Sequence, residues 1–208
     1  MAADDLVQES RGEAPGRGRL EGRRILVVGG GQEDYGLDDP PIGNGRAMSI
    51  LFAREGAAVA VADIKRDSAE ATAQRVRAEG ADAAVVVADA SDEAAVAEMF
   101  TQAREALGGL DGLVLNVGIG AGRGLRGTSV EDWDRVLAVN LRSHFLGCKH
   151  AIDALDDGGA VLLMGSVASR EVMPLPAYAA SKAALEALCR QARSRRRRAC
   201  ASTCSCPA

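Results

Sequence analysis

Five short runs of small and branched apolar residues recur along the chain, and each is followed by a segment with helical spacing. The runs cover residues 25–28, 57–62, 84–88, 112–116 and 160–164. The predicted helices cover residues 44–55, 67–79, 92–107, 131–154 and 177–193. Continuous apolar runs are typical of strands buried on both faces. Strands that alternate with helices form βαβ units, so the sequence predicts an α/β protein with a doubly wound parallel sheet.

Charge and cysteine are unevenly distributed along the chain. The net charge is −4, and residues 193–208 hold five arginines and no acid, so removing those five leaves −9 on residues 1–192. Nucleic acid binds through clustered Lys and Arg, and an acidic body therefore excludes it as an expected partner. Three of the five cysteines lie in residues 200–208. The other two, Cys148 and Cys189, predict reduced thiols of a cytoplasmic protein.

The sequence contains no long apolar segment. Its apolar runs have four to six residues, whereas a membrane-spanning helix needs roughly 20. Residues 1–20 are polar and Gly-rich and lack the apolar stretch of a signal peptide. We therefore predict a flexible N-terminal tail, no membrane contact and a cytoplasmic location.

A Gly-rich turn follows the first predicted strand. Gly29-Gly30-Gly31 comes directly after that strand, and Gly43-Asn44-Gly45 opens the first helix. Backbone without Cβ atoms lets a pyrophosphate approach the N–H groups at a helix N-terminus. Gly30 and Gly43 are 13 positions apart, where a dinucleotide-binding turn has about 4, so residues 32–41 form an insertion. A Gly-rich turn without a ligand is the alternative interpretation.

Asp63 stands at the end of the second predicted strand, 18 residues after Gly45. This separation is close to the roughly 20 residues at which an acid hydrogen-bonds the adenine ribose of a dinucleotide. A carboxylate there repels the 2′-phosphate of NADP, so NAD is the predicted cofactor and NADP is less favoured. Lys65 and Arg66 follow closely and weaken that preference. A strand-end Asp that caps a helix is the alternative.

Tyr178 and Lys182 are four residues apart on the last predicted helix, and they share one face of it. A phenol is a poor proton donor or acceptor at neutral pH, and an ammonium held close favours the phenolate form. Placed directly after the fifth strand, the pair predicts a general acid/base. An aromatic side chain packed beside a solvated lysine is the alternative.

Taken in order, these motifs resemble the classical short-chain dehydrogenase/reductase family. The motifs are the Gly-rich turn, Asp63, Asp89 in Val-Val-Ala-Asp-Ala, Asn116-Val-Gly118, Asn140 in Val-Asn-Leu-Arg-Ser, Ser166 in Met-Gly-Ser-Val-Ala-Ser, and Tyr178-Ala-Ala-Ser-Lys182. The resemblance extends from about residue 20 to residue 190. It implies a Rossmann-like fold in which about five of the usual seven strands are present.

The resemblance also implies an NAD(P)-dependent oxidoreductase that interconverts a secondary alcohol and a ketone by hydride transfer. Tyr178 would exchange a proton with the substrate oxygen, and Lys182 would favour its phenolate and hold the nicotinamide ribose. Ser166 would hydrogen-bond the substrate oxygen, and Asn140 would position a water that links Lys182 to solvent. The implied cofactor-binding residues are Gly30, Gly43, Asn44, Gly45, Asp63, Asp89, Ala90, Asn116, Gly118, Tyr178 and Lys182. No metal is implied.

The end of the chain departs from the family pattern. The last predicted helix runs into arginines and cysteines, and the sixth and seventh strands of the family do not follow. We predict a tail over 1–20, an incomplete dinucleotide-binding domain over 21–193, and an aberrant Arg/Cys tail over 194–208 that a shift of reading frame explains. A metal-binding or nucleic-acid-binding module is the alternative for this tail, although the spacing of Cys200, Cys204 and Cys206 is not a zinc signature.

An incomplete domain leaves two functions open. One is an active oxidoreductase that acts on a small-molecule alcohol or ketone. The other is a catalytically silent chain that at most binds a dinucleotide. The homo-oligomer of the family is expected only with an intact C-terminus. We also expect the fifth strand to lie at an unpaired sheet edge, where its backbone groups favour aggregation.

Overall fold

The computed structural model describes residues 14–34, 36–38, 40–194 and 204–205. Within them, the strands form one parallel sheet in the order β3-β2-β1-β4-β5-β6. The strands are β1 Arg24–Val28, β2 Ala58–Asp63, β3 Ala83–Val87, β4 Gly112–Leu115, β5 Ala160–Met164 and β6 Cys204–Ser205. The helices are α1 Asn44–Arg54, α2 Arg66–Ala78, α3 Glu93–Leu107, α4 Val130–Leu137, α5 Ser143–Ala154 and α6 Pro176–Ser194. The predicted α/β class and its five parallel strands are confirmed.

The sheet has a buried core on each face. Val27 and Val59 pack with α1 and α2 on one face, and Leu26 and Leu113 pack with α3, α5 and α6 on the other. Successive strand residues point to opposite faces, so neighbours such as Leu26 and Val27 belong to different cores. Burying one such side chain stabilises the fold by about 1.5–3 kcal/mol. Among the described helices, none has the length and apolar character that a membrane crossing requires.

Local signals define the ends of α3, and a π-helical turn interrupts the long helix that follows. The Asp92 carboxylate accepts a hydrogen bond from the backbone N–H of Ala95 at 2.8 Å, and Gly108 ends α3 with a φ of 73°. Both ends agree with the predicted helix over 92–107. The single helix predicted over 131–154 instead contains a π turn, Ala138–Arg142, between α4 and α5. Such turns insert an extra residue into a helix and often occur at functional sites.

The expectation that β5 forms an unpaired edge is wrong for part of the strand. Cys204 and Ser205 pair in parallel with Leu163 and Met164, which gives the end of β5 a neighbour on its outer side. This pairing was not predicted, because a two-residue strand has no periodicity to detect. Ser194 ends α6, and the remaining residues of the predicted tail over 194–208 lie outside the described part of the chain.

Part of the predicted N-terminal tail, residues 14–20, is bound to the domain through Glu55. The guanidinium of Arg19 donates to the Glu55 carboxylate at 2.7 Å, and the backbone N–H groups of Arg19 and Arg17 donate to it at 3.1 and 3.0 Å. These donors stabilise the charged carboxylate and lower the pKa of Glu55 from 4.5 to about 2. The side chain of Glu55 is only 5% exposed. For residues 1–13, which the structure does not describe, the tail stays a prediction.

The stability of the protein should therefore fall as the pH drops from about 4.5 towards 2. A lowered carboxylate pKa contributes stability that is present above the unfolded-state pKa and is lost as the pH falls through the folded-state pKa. In Glu55→Gln this contribution is absent at every pH. We expect a lower Tm at neutral pH and a smaller decrease of Tm in acid, measured by circular dichroism. Glu70→Gln, which removes an exposed ion pair with Arg77, is the control. The same acid response in Glu55→Gln and the parent chain would contradict this assignment.

Candidate active site

A cleft of about 390 Å³ opens where β1, β2, β4 and β5 end. Because parallel strands all end at the same edge of a sheet, residues from distant parts of the sequence meet there. The predicted site residues that line the cleft are Gly43, Asn44, Gly45, Asp63, Asn116, Gly118, Tyr178 and Lys182. The predicted residues outside its lining are Gly30, Asp89, Ala90, Asn140 and Ser166.

The turn after β1 approaches the start of α1 so closely that there is no room for a Cβ atom. Gly29 has a φ of 76°, and its N–H donates to the carbonyl of Ala62 at 2.9 Å. The Asn116 side chain donates to the carbonyl of Gly29 at 2.9 Å. A Cβ on Gly45 would lie 2.0 Å from that same carbonyl oxygen. The N-terminus of α1 therefore borders the cleft with bare backbone around it, which fits a pyrophosphate group.

The three glycines after β1 have different surroundings. Gly29 and Gly31 line the cleft. Gly30 faces the sheet, since a Cβ there would lie 2.8 Å from Cγ1 of Val61. A Cβ on Gly31 would lie 2.6 Å from the Asp63 carboxylate. Gly29 and Gly31 were not predicted as cofactor-binding residues, because the glycine triplet alone does not tell which member faces a ligand.

Side chains tie the two ends of the insertion together. Gln32 Oε1 accepts a hydrogen bond from the backbone N–H of Gly43 at 3.1 Å. Ser68 on α2 binds the backbone of Gln32 twice, since its hydroxyl accepts from the N–H at 2.6 Å and donates to the carbonyl at 2.8 Å. We call these contacts of Gln32 with Gly43 and Ser68 the insertion neck. The neck keeps both ends of the turn in place although the segment between them is long.

Asp63 lies at the end of β2, as predicted, with both carboxylate oxygens bound to backbone. One oxygen accepts from the N–H of Gly31 at 3.0 Å, and the other accepts from the N–H of Lys65 at 3.0 Å. The Lys65 ammonium forms an ion pair with Glu33 at 2.7 Å. Asp63, Lys65 and Glu33 all line the cleft. The sequence offered no signal for Glu33, which lies 32 positions before Lys65.

Asp89 and Ala90 follow β3, outside the lining of the cleft. One oxygen of Asp89 accepts hydrogen bonds from the N–H of Ser91 at 2.8 Å and from its hydroxyl at 2.7 Å. Asp89 thus stabilises the turn before α3. A contact of these two residues with the adenine of a cofactor stays a prediction.

Lys182 is buried beside Tyr178 at the floor of the cleft. It is 3% exposed, and its ammonium donates to the carbonyls of Met164 at 3.0 Å and Val117 at 3.4 Å. The ammonium lies 5.8 Å from the centre of the Tyr178 ring. A Cβ on Gly118 would lie 3.3 Å from the same ammonium, so glycine at this position leaves room for it. The structure therefore brings the predicted Tyr–Lys pair together in the cleft.

Asn140 is fully buried in the π turn, and its amide binds the segment that follows β4. Its Oδ1 accepts from the N–H of Ile119 at 2.8 Å, and its Nδ2 donates to the carbonyl of Ile119 at 2.9 Å. The Nδ2 also donates to the hydroxyl of Ser181 at 3.1 Å. Asn140 thereby connects the π turn to α6, next to Lys182. The predicted role of Asn140, to position a water between Lys182 and solvent, stays a prediction.

His144 is a buried residue near the site that the sequence analysis did not identify. Its Nε2 lies 3.0 Å from the carbonyl of Leu115 and must carry the proton, since a carbonyl only accepts. Burial, and then the positive charge of Lys182, lower the pKa of His144 from 6.5 to about 3. The imidazole is therefore neutral at physiological pH and holds the end of β4. A histidine inside a predicted helix gives no signal of this contact.

Ser166 lies two residues after the end of β5 and is half-buried. Its hydroxyl oxygen accepts from the N–H of Ala168 at 3.2 Å and caps the 3₁₀ turn Val167–Ser169. The hydroxyl retains its own proton for donation to another group. A contact between Ser166 and a substrate oxygen stays a prediction.

These features together define a Rossmann-like α/β domain with a nucleotide-sized cleft. The family model described as enoyl-(acyl carrier protein) reductase matches residues 42–195. A short-chain dehydrogenase/reductase of Hericium erinaceus is 41% identical over 154 residues, which cover 70% of this chain and 61% of that protein. The inactive 2-(S)-hydroxypropyl-CoM dehydrogenase 2 of Xanthobacter autotrophicus is 43% identical over 147 residues, with 69% and 63% covered. A solved short-chain dehydrogenase/reductase of Serratia marcescens superposes with a TM-score of 0.75 at 34% identity, with 84% and 69% covered.

The chain therefore belongs to the short-chain dehydrogenase/reductase family. Members of this family are oxidoreductases that use NAD or NADP. The chain spans 61–63% of the length of the two curated relatives described above.

Proposed function

We propose that the protein is an NAD-dependent oxidoreductase that interconverts a secondary alcohol and a ketone. The observation that carries the proposal is the buried Lys182 ammonium, 5.8 Å from the Tyr178 ring, in a cleft bordered by Cβ-free backbone. The cation and the phenol are close together, as the proposed acid/base pair requires, and the bare backbone provides room for a pyrophosphate.

Different residues around the cleft would bind different parts of the cofactor. The backbone of Gly29, Gly31 and Gly45 lines the cleft next to the N-terminus of α1 and would border the pyrophosphate. Asp63 would accept hydrogen bonds from the adenosine ribose, since carboxylate oxygens have lone pairs beyond those used by Gly31 and Lys65. Lys182 would hold the other ribose. A bound nicotinamide would supply the hydride chemistry that links the alcohol and the ketone.

The protein supplies the proton transfer and the orientation of the substrate. As the alcohol is oxidised, the Tyr178 phenolate takes the hydroxyl proton, and in the reverse direction the phenol returns it to the ketone oxygen. Ser166 would donate a hydrogen bond to the same oxygen and stabilise its developing charge. Asn140 and His144 would position Lys182 indirectly. They hold Ile119 and Leu115, which lie on either side of Val117, and the carbonyl of Val117 binds Lys182.

The preference for NAD is tested by Asp63→Ala. Loss of the carboxylate removes hydrogen bonds to the ribose, which for a charged acceptor are worth about 1.5–3 kcal/mol, so the Kd for NAD should rise at least about tenfold. The Kd for NADP should change less, because the repulsion of its phosphate disappears at the same time. Isothermal titration with both cofactors measures the two constants. Equal affinities for NAD and NADP in the parent chain would refute the preference.

A second candidate function is dinucleotide binding without turnover. It is favoured by the Xanthobacter relative, which is 43% identical and is itself described as inactive. Assays of the parent chain with NAD and a panel of secondary alcohols distinguish the two candidates. Turnover supports the oxidoreductase, and NAD binding with no turnover on any alcohol supports the silent binder.

A further inference from the structure

The insertion places an acidic side chain in the wall of the cofactor cleft. Glu33 directly follows Gln32 of the insertion neck, and its carboxylate lies 2.7 Å from the ammonium of Lys65. Lys65 is two residues after Asp63, and its own backbone N–H binds the Asp63 carboxylate. The ion pair thus stands next to the side chain that would bind the adenosine ribose.

This ion pair also borders a second cavity of about 490 Å³. Gln32, Glu33 and Lys65 line both the second cavity and the cofactor cleft, so the pair lies in the wall that the two share. The remaining residues of the second cavity include the cations Arg46 and Arg66 and the acids Asp34 and Asp67. A group attached to the ribose and pointing away from the cleft would meet this wall.

The charges that act most strongly on Lys65 are negative. Its hydrogen bond and charge interaction with Glu33, with smaller contributions from the charges of Asp34 and Asp63, raise the pKa of Lys65. Arg46, which also lines this cavity, has a guanidinium bound to α2, where it donates to Thr72 Oγ1 at 2.9 Å and to the Ser68 carbonyl at 3.4 Å. One lysine therefore faces three carboxylates.

We propose that Glu33 is a specificity-determining residue that favours NAD over NADP. By pairing with Lys65, Glu33 keeps this cation from the 2′-phosphate of NADP and adds a like charge beside that phosphate. The neck residue Gln32 fixes the position of Glu33, because Ser68 binds both backbone groups of Gln32. The inference rests on the proposed dinucleotide-binding function and assigns a role in it to the insertion of this chain.

Glu33→Gln tests the inference through binding alone. The variant keeps the size of the side chain and removes its charge, which frees Lys65 for a phosphate that carries nearly two negative charges. Because an exposed ion pair contributes only modestly, the Kd for NADP should fall about fivefold while that for NAD stays within about twofold. Glu70→Gln is the matched control, since it removes a glutamate of similar exposure, 42% against 50% for Glu33, from a 2.7 Å pair with Arg77 away from the cleft.

A Lys65→Met background separates the two proposed effects of Glu33, which are its pairing with Lys65 and its repulsion of the phosphate. In a Lys65→Met chain, Glu33→Gln can only relieve repulsion, so the gain in NADP affinity should shrink to about twofold or less. Titrations of NAD and NADP into the four chains, with thermal unfolding as a check on folding, give all the constants. A fivefold gain that persists without Lys65 would overturn the role of the pair.

Two further outcomes are distinguishable. If the parent chain binds NAD and Glu33→Gln leaves the ratio of the two Kd values unchanged, the inference is wrong and the proposed function stands. If the parent chain binds neither dinucleotide, the proposed function fails and the inference falls with it.

Discussion

Tyr178→Phe should lower kcat for the oxidation of a secondary alcohol by about 10²–10⁴-fold, the usual contribution of a positioned acid/base. The phenyl ring keeps the packing of Tyr178 on α6, and only the oxygen that carries the proton is lost. The Kd for NAD should change far less than kcat, because the glycine backbone at Gly29 and Gly45 is untouched. Steady-state assays with NAD and titration of the cofactor measure the two quantities separately.

Two other results of this experiment are distinguishable. Turnover within a factor of a few of the parent would mean that Tyr178 has a structural role. A parallel loss of NAD binding and of thermal stability would mean that the ring itself was disturbed.

Gly45→Ala should abolish cofactor binding at micromolar concentrations and destabilise the domain by about 2–3 kcal/mol, as overpacking of a close contact does. The new Cβ would lie 2.0 Å from the carbonyl oxygen of Gly29, so α1 and the turn after β1 must separate. That movement takes the N-terminal amides of α1 away from the pyrophosphate. Urea unfolding and cofactor titration measure the two effects.

Gly43→Ala is the stability control for this experiment. The nearest atom to a Cβ at position 43 is Cγ of Gln32 at 3.9 Å, an ordinary contact. Its cost should stay below about 1 kcal/mol, the scale of an unfavourable N-cap residue. Equal losses of stability in the two variants would show that the close approach of Gly45 to Gly29 is unimportant.

Much of the fold was predictable because its signals are local. The apolar runs gave the five main strands, since a buried parallel strand needs apolar residues on both faces. Asp92 and Gly108 marked the ends of α3, because the cap and the left-handed residue act within one turn of the helix. Tyr178 and Lys182 were found together since helical spacing alone puts them on one face.

The rest depends on contacts between residues that are far apart in sequence. Glu55 binds Arg19 across 36 positions, and no local pattern tells that a helix-end glutamate will meet the segment before β1. His144 meets the Leu115 carbonyl only because the π turn and α5 pack behind β4. The sequence did not predict the hydrogen-bond partners of Asn140 either, since its amide can bind a water as well as the backbone of Ile119. These contacts follow from packing, which the sequence pattern does not encode locally.

The insertion neck has a consequence for how this chain can be altered. Gln32 and Gly43 are joined by one hydrogen bond, and Ser68 on α2 binds Gln32, so these contacts hold the two ends of the insertion close together. We therefore expect the residues between Gln32 and Gly43 to tolerate a grafted reporter peptide or an altered recognition sequence. Glu33, one contributor to cofactor choice, then lies in the exchangeable segment, whereas Asp63 and Tyr178 lie in the fixed part of the chain. Such a division would let selectivity be redesigned without touching Tyr178.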